Sequence, residues 1–352
     1  MSDQQKTILS GIRPTGRLHY GNYFGAIAHF LRLQEEKARC FYFIADYHAL
    51  TTITERRDIY QQTLDMLRTY VACGLDPKKS VVYRQSDLPC TAELSLLLGM
   101  ITNIGHLERG TTYKDKLNQI ESDPKISGNP LSFGLLGYPV LMAADILIVK
   151  ADLVPVGDDQ RQHVEMACDI ADKFNHRFGE TLHLPAAVGR TALRLPGLDG
   201  AAKMGKSDNN TLDLLDDPKT VLKKMKGVPT STDPLDLDTE SNDPDDIVPQ
   251  MPSGCGALYR LLHILAPEDV YLDFVGKYRR KEKFYGTLKK VLAEYASAFN
   301  EPIIEKFNDP ENTDASIEEF LRENAKKVTP VALDTVEACR EAIGIGRSLY
   351  RA

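Results

Sequence analysis

The chain has 352 residues, of which 42% are hydrophobic and 26% charged, and its formal net charge is −7. These are the proportions of an ordinary globular protein of about two domains. The acidic balance argues against a general nucleic-acid coat, yet leaves room for one nucleic acid held at a local basic patch.

The start, MSDQQKTILSG, lacks the basic head and long apolar run of a secretory signal, so a cytoplasmic chain is expected. Residues 6–10 read as a strand, and 21–37 as a helix with Tyr23, Phe24, Ile27, Phe30 and Leu31 on one face. Residues 40–46 form a second strand, near-continuously apolar and so buried on both faces. A helix over 55–73, a strand over 80–85 and a helix over 91–104 follow. The apolar stretch 135–149 is broken by Pro139 and Asp145 and falls short of the ~20 apolar residues of a membrane span, so no membrane partner is expected. Residues 152–156 suggest a short strand and 159–175 another helix. Strands alternating with helices predict an α/β fold with a parallel sheet covered on both faces.

The character changes after about 207. Residues 228–254 are rich in Pro, Asp, Ser and Thr and suggest a long surface connection. Beyond Cys255 only helical patterns appear, over 256–265, 268–280, 283–300, 301–307, 316–326 and 330–343. The boundaries follow: an α/β domain over 1–207, which a C-terminal helix from about 330 to 352 could join, and a helical domain over 208–329. The six cysteines are at least seventeen positions apart, with no C-x-x-C, so no zinc or iron–sulfur site is expected.

Two segments carry chemistry. In Ser10–Tyr23 (SGIRPTGRLHYGNY) a strand ends in a Gly/Pro loop and a helix starts near Gly21. Ligands of parallel sheets collect at strand carboxyl ends, and free N–H groups of a helix start suit phosphate. His19 and Asn22 add donors there, although Asn22 also fits as a plain N-cap. The second segment, Lys203-Met204-Gly205-Lys206-Ser207, puts two lysines on a loop able to close over a polyphosphate. A solvated basic loop is its bland alternative. The pattern K-M-x-K-S should arise by chance in roughly one such chain in several hundred.

Together and in this order, H-Y-G-N and K-M-G-K-S resemble the H-I-G-H and K-M-S-K-S signatures of the class I aminoacyl-tRNA synthetases. The segments SGIRPTGRLHYGNYFGA, ADYHAL, GYPVLMAADIL and DLVPVGDDQRQHVE narrow the resemblance to the bacterial tryptophan-specific branch, clearly over about 7–227. Two positions depart from it: Arg13 stands where most members carry Gln, and Gly205 replaces the middle Ser of the lysine loop.

The resemblance implies a Rossmann-like doubly wound parallel sheet with a C-terminal all-α anticodon-binding domain, and a homodimer. It implies that tryptophan, ATP with Mg²⁺ and a tRNA are the substrates. ATP would be held by Arg13, Pro14, Thr15, His19, Gly21 and Asn22, and by Lys203, Met204, Gly205, Lys206 and Ser207 on its phosphates. His19, Asn22, Lys203, Lys206 and Ser207 would serve catalysis. Gly157, Asp158 and Asp159 match the stretch that faces ribose and adenine, with the backbone near Ala192, although Asp158 and Asp159 also suit an acidic helix start.

Amino-acid choice falls on Asp145, a carboxylate in an otherwise apolar helix, on the face of Met142 and Tyr138. An indole N–H donates and cannot accept, so an apolar slot with one acceptor suits it. Leu9, Gly11, Val154 and Val156 would wall that slot, Gln160 would meet the amino-acid head, and His48 is either a pocket residue or a structural histidine. Residues 277–290, with seven Lys/Arg and three aromatics, and Lys223, Lys224 and Lys226 suggest RNA contact or merely solvated helix faces. A tyrosine-specific relative and a paralogue that binds tryptophan or ATP without charging tRNA remain open alternatives at this level.

Overall fold

The computed structural model describes residues 5–348 apart from 15, 37, 52–57, 77, 111–112, 116, 119–131, 158–159, 190–192, 194, 206–207 and 231–235. Five strands make one parallel sheet: β1 (Thr7–Ile12), β2 (Arg39–Ile44), β3 (Ser80–Arg84), β4 (Leu153–Val156) and β5 (Ala186–Gly189). Their spatial order is β3-β2-β1-β4-β5. The chain builds outward from β1 to β3, then returns to the far side of β1. A crevice opens at such a reversal, outside the carboxyl ends of the strands. Four strands match the sequence pattern. The fifth, AAVG, has too little β-branched or aromatic character to show itself.

Alternation along the strands creates two cores. Ile8, Cys40, Tyr42, Ile44 and Val82 point to one face of the sheet, and Leu9, Phe41, Phe43 and Tyr83 to the other. On the first face lie Ile27 and Phe30 of the early helical run, Leu64, Leu67 and Tyr70 of the helix Ile59–Ala72, and much of the later helical region. The second face is covered by the helices Pro89–Gly99, Phe133–Ile148 and Arg161–Phe178.

Among the described residues no strand follows β5. The helices Pro218–Gly227, Ser253–Leu265, Glu268–Arg279, Tyr285–Phe307 and Asp314–Ile343 complete the chain. Two breaks expected from the sequence are absent: Pro302 and Pro330 lie inside continuous helices. A mid-helix proline costs about 3 kcal/mol. Close packing on either side offsets it, with Asn300 and Ile303 buried around the first and Val328 and Ala332 around the second. The last helix passes from one core to the other, with Ile317 and Leu321 in the first and Val328, Ala332, Val336 and Cys339 in the second. The 228–254 connection contains a short helix, Pro244–Ile247, started by Asp243, whose carboxylate accepts from the Asp245 N–H. All six cysteines are free. No helix among the described residues is long and apolar enough to cross a membrane.

One buried amide ties the early loop to the helical region. Asn300 is fully buried and its Nδ2 donates to the carbonyls of Asp213 and Asp216, each at 3.1 Å. The Tyr20 hydroxyl lies 3.0 Å from both Asn300 Oδ1 and the Ala296 carbonyl. Asn300→Ala strands these buried partners, at about 2–3 kcal/mol. Its thermal midpoint should fall by several degrees, and an unchanged midpoint would remove Asn300 from this role.

Candidate active site

A cavity of about 460 Å³ opens at the carboxyl ends of β1 and β4, where the chain reverses. Strand β1 contributes Leu9, Gly11 and Ile12, with Arg13 following at its end. Tyr138, Met142 and Ile146 project from the Phe133–Ile148 helix, and Val154 and Val156 from β4. Phe43, His48, Gln160 and His163 complete much of the wall. Eight of the nine residues named from the sequence for an amino-acid slot thus meet around one hollow, all but Asp145. Gly11 is required there: a Cβ would come within 2.4 Å of the Phe43 ring. The Tyr138 hydroxyl lies 3.2 Å from His163 Nε2, which fixes its direction across the cavity wall.

Asp145 corrects one expectation. It does not line the cavity as an open acceptor but stands behind it, only 3% exposed. Its Oδ2 is 3.0 Å from Nε2 of His48, which does face the cavity. Gln85 Nε2 donates to both carboxylate oxygens, at 2.9 and 2.8 Å. The reason is electrostatic: an unpaired carboxylate in an apolar helix is far costlier than a hydrogen-bonded one. Burial still pushes the Asp145 carboxyl above the ordinary range, while the bonds from His48 and Gln85 pull it down. His48 therefore serves both readings left open above, as a wall residue and as a satisfied partner. A carboxylate offers about four acceptor positions, so these donors leave capacity for another.

The second half of the site follows β1 directly. His19 starts the helical run Tyr20–Asn22, Tyr23–Ile27 and Ala28–Leu33, whose middle part is π-wound. The His19 N–H donates to Asn22 Oδ1 at 3.1 Å, so His19 is the N-cap and Asn22 is the third helical residue, bonding back to it as half of a capping box rather than serving as the N-cap. A Cβ on Gly21 would lie 2.9 Å from the His19 ring and 3.5 Å from Met204 Cβ. The H-Y-G-N turn and the lysine segment are therefore in contact, despite some 180 intervening residues. Backbone pairing holds them: the Tyr20 N–H donates to the Leu212 carbonyl at 2.9 Å, and that of Leu214 to Leu18 at 3.0 Å.

The lysine segment hangs on Asn210. Its Oδ1 accepts from the Gly205 N–H at 2.7 Å, and its Nδ2 reaches Asp199 Oδ1 and the Lys203 carbonyl. Met204 is buried against the core, whereas Lys203 is exposed. Pro14 is buried beside the exposed Arg13, and Gly157 closes a turn by accepting from the Gln160 N–H at 2.9 Å. Thr15, Asp158, Asp159, Ala192, Lys206 and Ser207 lie outside the described residues.

The basic stretch 277–290 is corrected in part. Its interleaved aromatics are not a stacking platform, because Tyr278 and Phe284 are buried and Tyr285 is half-buried against Cys255. Arg279 donates to the carbonyls of Thr239 and Ser241, and Lys289 to that of Val228. Lys224 is paired with Asp216 at 2.6 Å. Sequence reasoning missed Gln85 and His163. A polar residue at the carboxyl end of β3 was the available signal for Gln85, and one near a strand end for His163.

The family model described as tRNA synthetases class I (W and Y) matches residues 1–300. A tryptophan–tRNA ligase of Porphyromonas gingivalis is 40% identical over 343 residues, covering 96% of this chain and 99% of its own. The crystal structure of Campylobacter jejuni tryptophanyl-tRNA synthetase complexed with ADP and tryptophan is similar at a TM-score of 0.81 and 35% identity. It covers 96% of this chain and 99% of that one. A tyrosyl-tRNA synthetase of Archaeoglobus fulgidus, 17% identical at a TM-score of 0.62, shares the fold.

Asn210→Ala removes the side chain that fixes the Met204–Gly205 backbone. Amide exchange at Gly205 should then speed up about tenfold, the loss of one hydrogen bond. Unchanged exchange would mean that the backbone pairing alone sets this segment.

Proposed function

The chain belongs to the class I tRNA synthetases of the tryptophan and tyrosine group, and from that premise we propose that it works as a tryptophan–tRNA ligase. It activates L-tryptophan with ATP and transfers the tryptophanyl group to the terminal adenosine of its tRNA. The observation that carries the choice of amino acid is the apolar cavity at the β1–β4 reversal, backed by the His48–Asp145 pair.

In the first step a tryptophan carboxylate oxygen attacks the α-phosphorus of ATP. The bond to the β-phosphate oxygen breaks and pyrophosphate leaves. Positioning and charge stabilisation carry such a step, and little proton transfer is needed. Tryptophan lies in the cavity against Leu9, Gly11, Tyr138, Met142, Val154 and Val156. Gln160 meets its amino-acid head. The indole N–H finds its acceptor at the His48–Asp145 pair. Phenylalanine, which has no donor on its ring, would leave that acceptor unmet.

ATP occupies the turn from Arg13 through Thr15 to His19, Gly21 and Asn22. Asn22 spends its oxygen on the helix start and offers its Nδ2 to phosphate. Gly157, Asp158, Asp159 and the backbone at Ala192 bound the nucleoside. Lys203, Met204, Gly205, Lys206 and Ser207 close over the β- and γ-phosphates, where the two ammonium groups stabilise the leaving pyrophosphate. Mg²⁺ bound with ATP would share with Lys203 and Lys206 the neutralisation of phosphate charge. Arg13 adds a cation at the mouth shared by both substrates. In the second step a hydroxyl oxygen of the terminal adenosine attacks the acyl carbon, and AMP leaves.

We assign 1–207 to the catalytic unit and 208–329 to the tRNA unit. The tail of the last helix, from about 330, goes with the catalytic unit, since Ala332, Val336 and Cys339 pack on its second core. The protein acts in the cytoplasm as a homodimer. Leu96, Met100 and Ile104, exposed apolar side chains four residues apart, and exposed Phe133 support a subunit contact there.

ATP–pyrophosphate exchange with each of the twenty amino acids, followed by tRNA charging, tests this function. Tryptophan alone should drive exchange, and exchange driven by tyrosine would move the chain to the sister specificity. Asp145→Asn should raise the KM for tryptophan tenfold or more while leaving that for ATP nearly unchanged. Equal losses for both substrates would break the pocket assignment. Met100→Glu should convert a dimer to a monomer in light scattering, and a persistent dimer would place the interface elsewhere.

A further inference from the structure

The reaction as described does not use Gln85, yet this side chain is 1% exposed and has a partner on each side. Its Oε1 accepts from the Tyr47 N–H at 3.1 Å. That bond decides which way round the amide lies, because an N–H can only donate. The Nε2 is thereby aimed at Asp145, 2.9 Å from one carboxylate oxygen and 2.8 Å from the other. With His48 on Oδ2, the carboxylate is held from two directions.

The turn that carries Gln85 is itself anchored. Asp46 Oδ1 accepts from the N–H groups of Ser86 and Tyr47, at 3.1 and 3.0 Å. One residue earlier, Arg84 donates to Glu318 through both terminal nitrogens, at 3.2 and 3.1 Å, and to Asp87. Glu318 lies on the Asp314–Ile343 helix, so that helix braces the turn from outside. A glutamine here is a costly choice for mere packing, since a buried amide must have every group met. An apolar side chain would fill the same space.

We propose that Gln85 is a positioning residue for tryptophan selection: its amide fixes the Asp145–His48 pair that receives the indole N–H behind the cavity. The inference rests on the tryptophan reading above. Gln85 touches no substrate. It acts by holding Asp145 in one orientation and by favouring its ionised form, the form with the strongest acceptor. The other titratable groups facing Asp145 are His48 and Asp46 from the turn after β2 and Tyr83 from β3. Asp46 opposes ionisation of Asp145, and His48 and Gln85 favour it.

The test is steady-state exchange kinetics on Gln85→Met, which keeps the volume and removes the donor, and on Gln85→Asn, which shortens its reach. Both should raise the KM for tryptophan about tenfold to a hundredfold, with the KM for ATP and saturated kcat within about threefold of the parent. The acid limb of kcat/KM for tryptophan provides a readout that general loosening would not move. Removing a donor to the ionised carboxylate raises the Asp145 pKa, so the limb should shift to higher pH, by about one unit. Parallel losses for both substrates with an unmoved acid limb overturn the proposal, as does an unchanged tryptophan KM in either folded variant. A parent enzyme whose exchange ignores tryptophan overturns the functional reading, and this inference with it.

Discussion

A single buried carboxylate organises the amino-acid half of this protein. Asp145 lies in a helix whose other inward residues are apolar, and water cannot reach it. Such a charge persists only if donors surround it. His48 and Gln85 supply them from two other elements, so the demand of one side chain fixes the turn after β2, the turn after β3 and the 133–148 helix relative to each other. The cavity wall is the outer surface of this arrangement. Its shape and the position of His48 in it therefore have a common cause.

The half of the site proposed for the nucleotide obeys a different constraint, that of backbone approach. Gly21 admits the His19 ring, which a Cβ would crowd at 2.9 Å, and faces Met204 at ordinary packing distance. Segments far apart in the chain are then joined by backbone hydrogen bonds between 18–20 and 212–214. Asn300 continues the connection into the helical region, and the last helix closes it by running from the first core to the second. The helices that follow β5 are thus tied to the early turn and to the turn after β3 through buried or partly buried polar groups as well as apolar packing. Arg84 and Glu318 form the most direct of these links to the amino-acid side.

Much of this was legible in the sequence, for definite reasons. Strands β1 to β4 showed through apolar runs between Gly/Pro turns, and the wall residues of the cavity followed from strand ends and from one face of one helix. Strand β5 was hidden because AAVG is too short and too weakly patterned. The helix breaks at Pro302 and Pro330 were misread because tertiary packing outweighs the local cost of proline. The aromatics of 277–290 looked like RNA platforms because periodicity cannot tell a buried ring from an exposed one. Gln85 offered only its place at a strand end as a signal, because its partner Asp145 lies sixty residues away and no local pattern encodes that pairing.

The chain contains no tryptophan, so a bound tryptophan is the only indole in the solution of protein and ligand. Equilibrium titration read by the ligand's own emission, with phenylalanine as competitor, addresses the central claim without any variant. A buried acceptor pair that receives a ring donor predicts that phenylalanine, which has none, displaces tryptophan only at concentrations about a hundredfold higher or more. Displacement by phenylalanine at matching concentration would show that the cavity sorts amino acids without its acceptor, and would contradict the role given to Asp145.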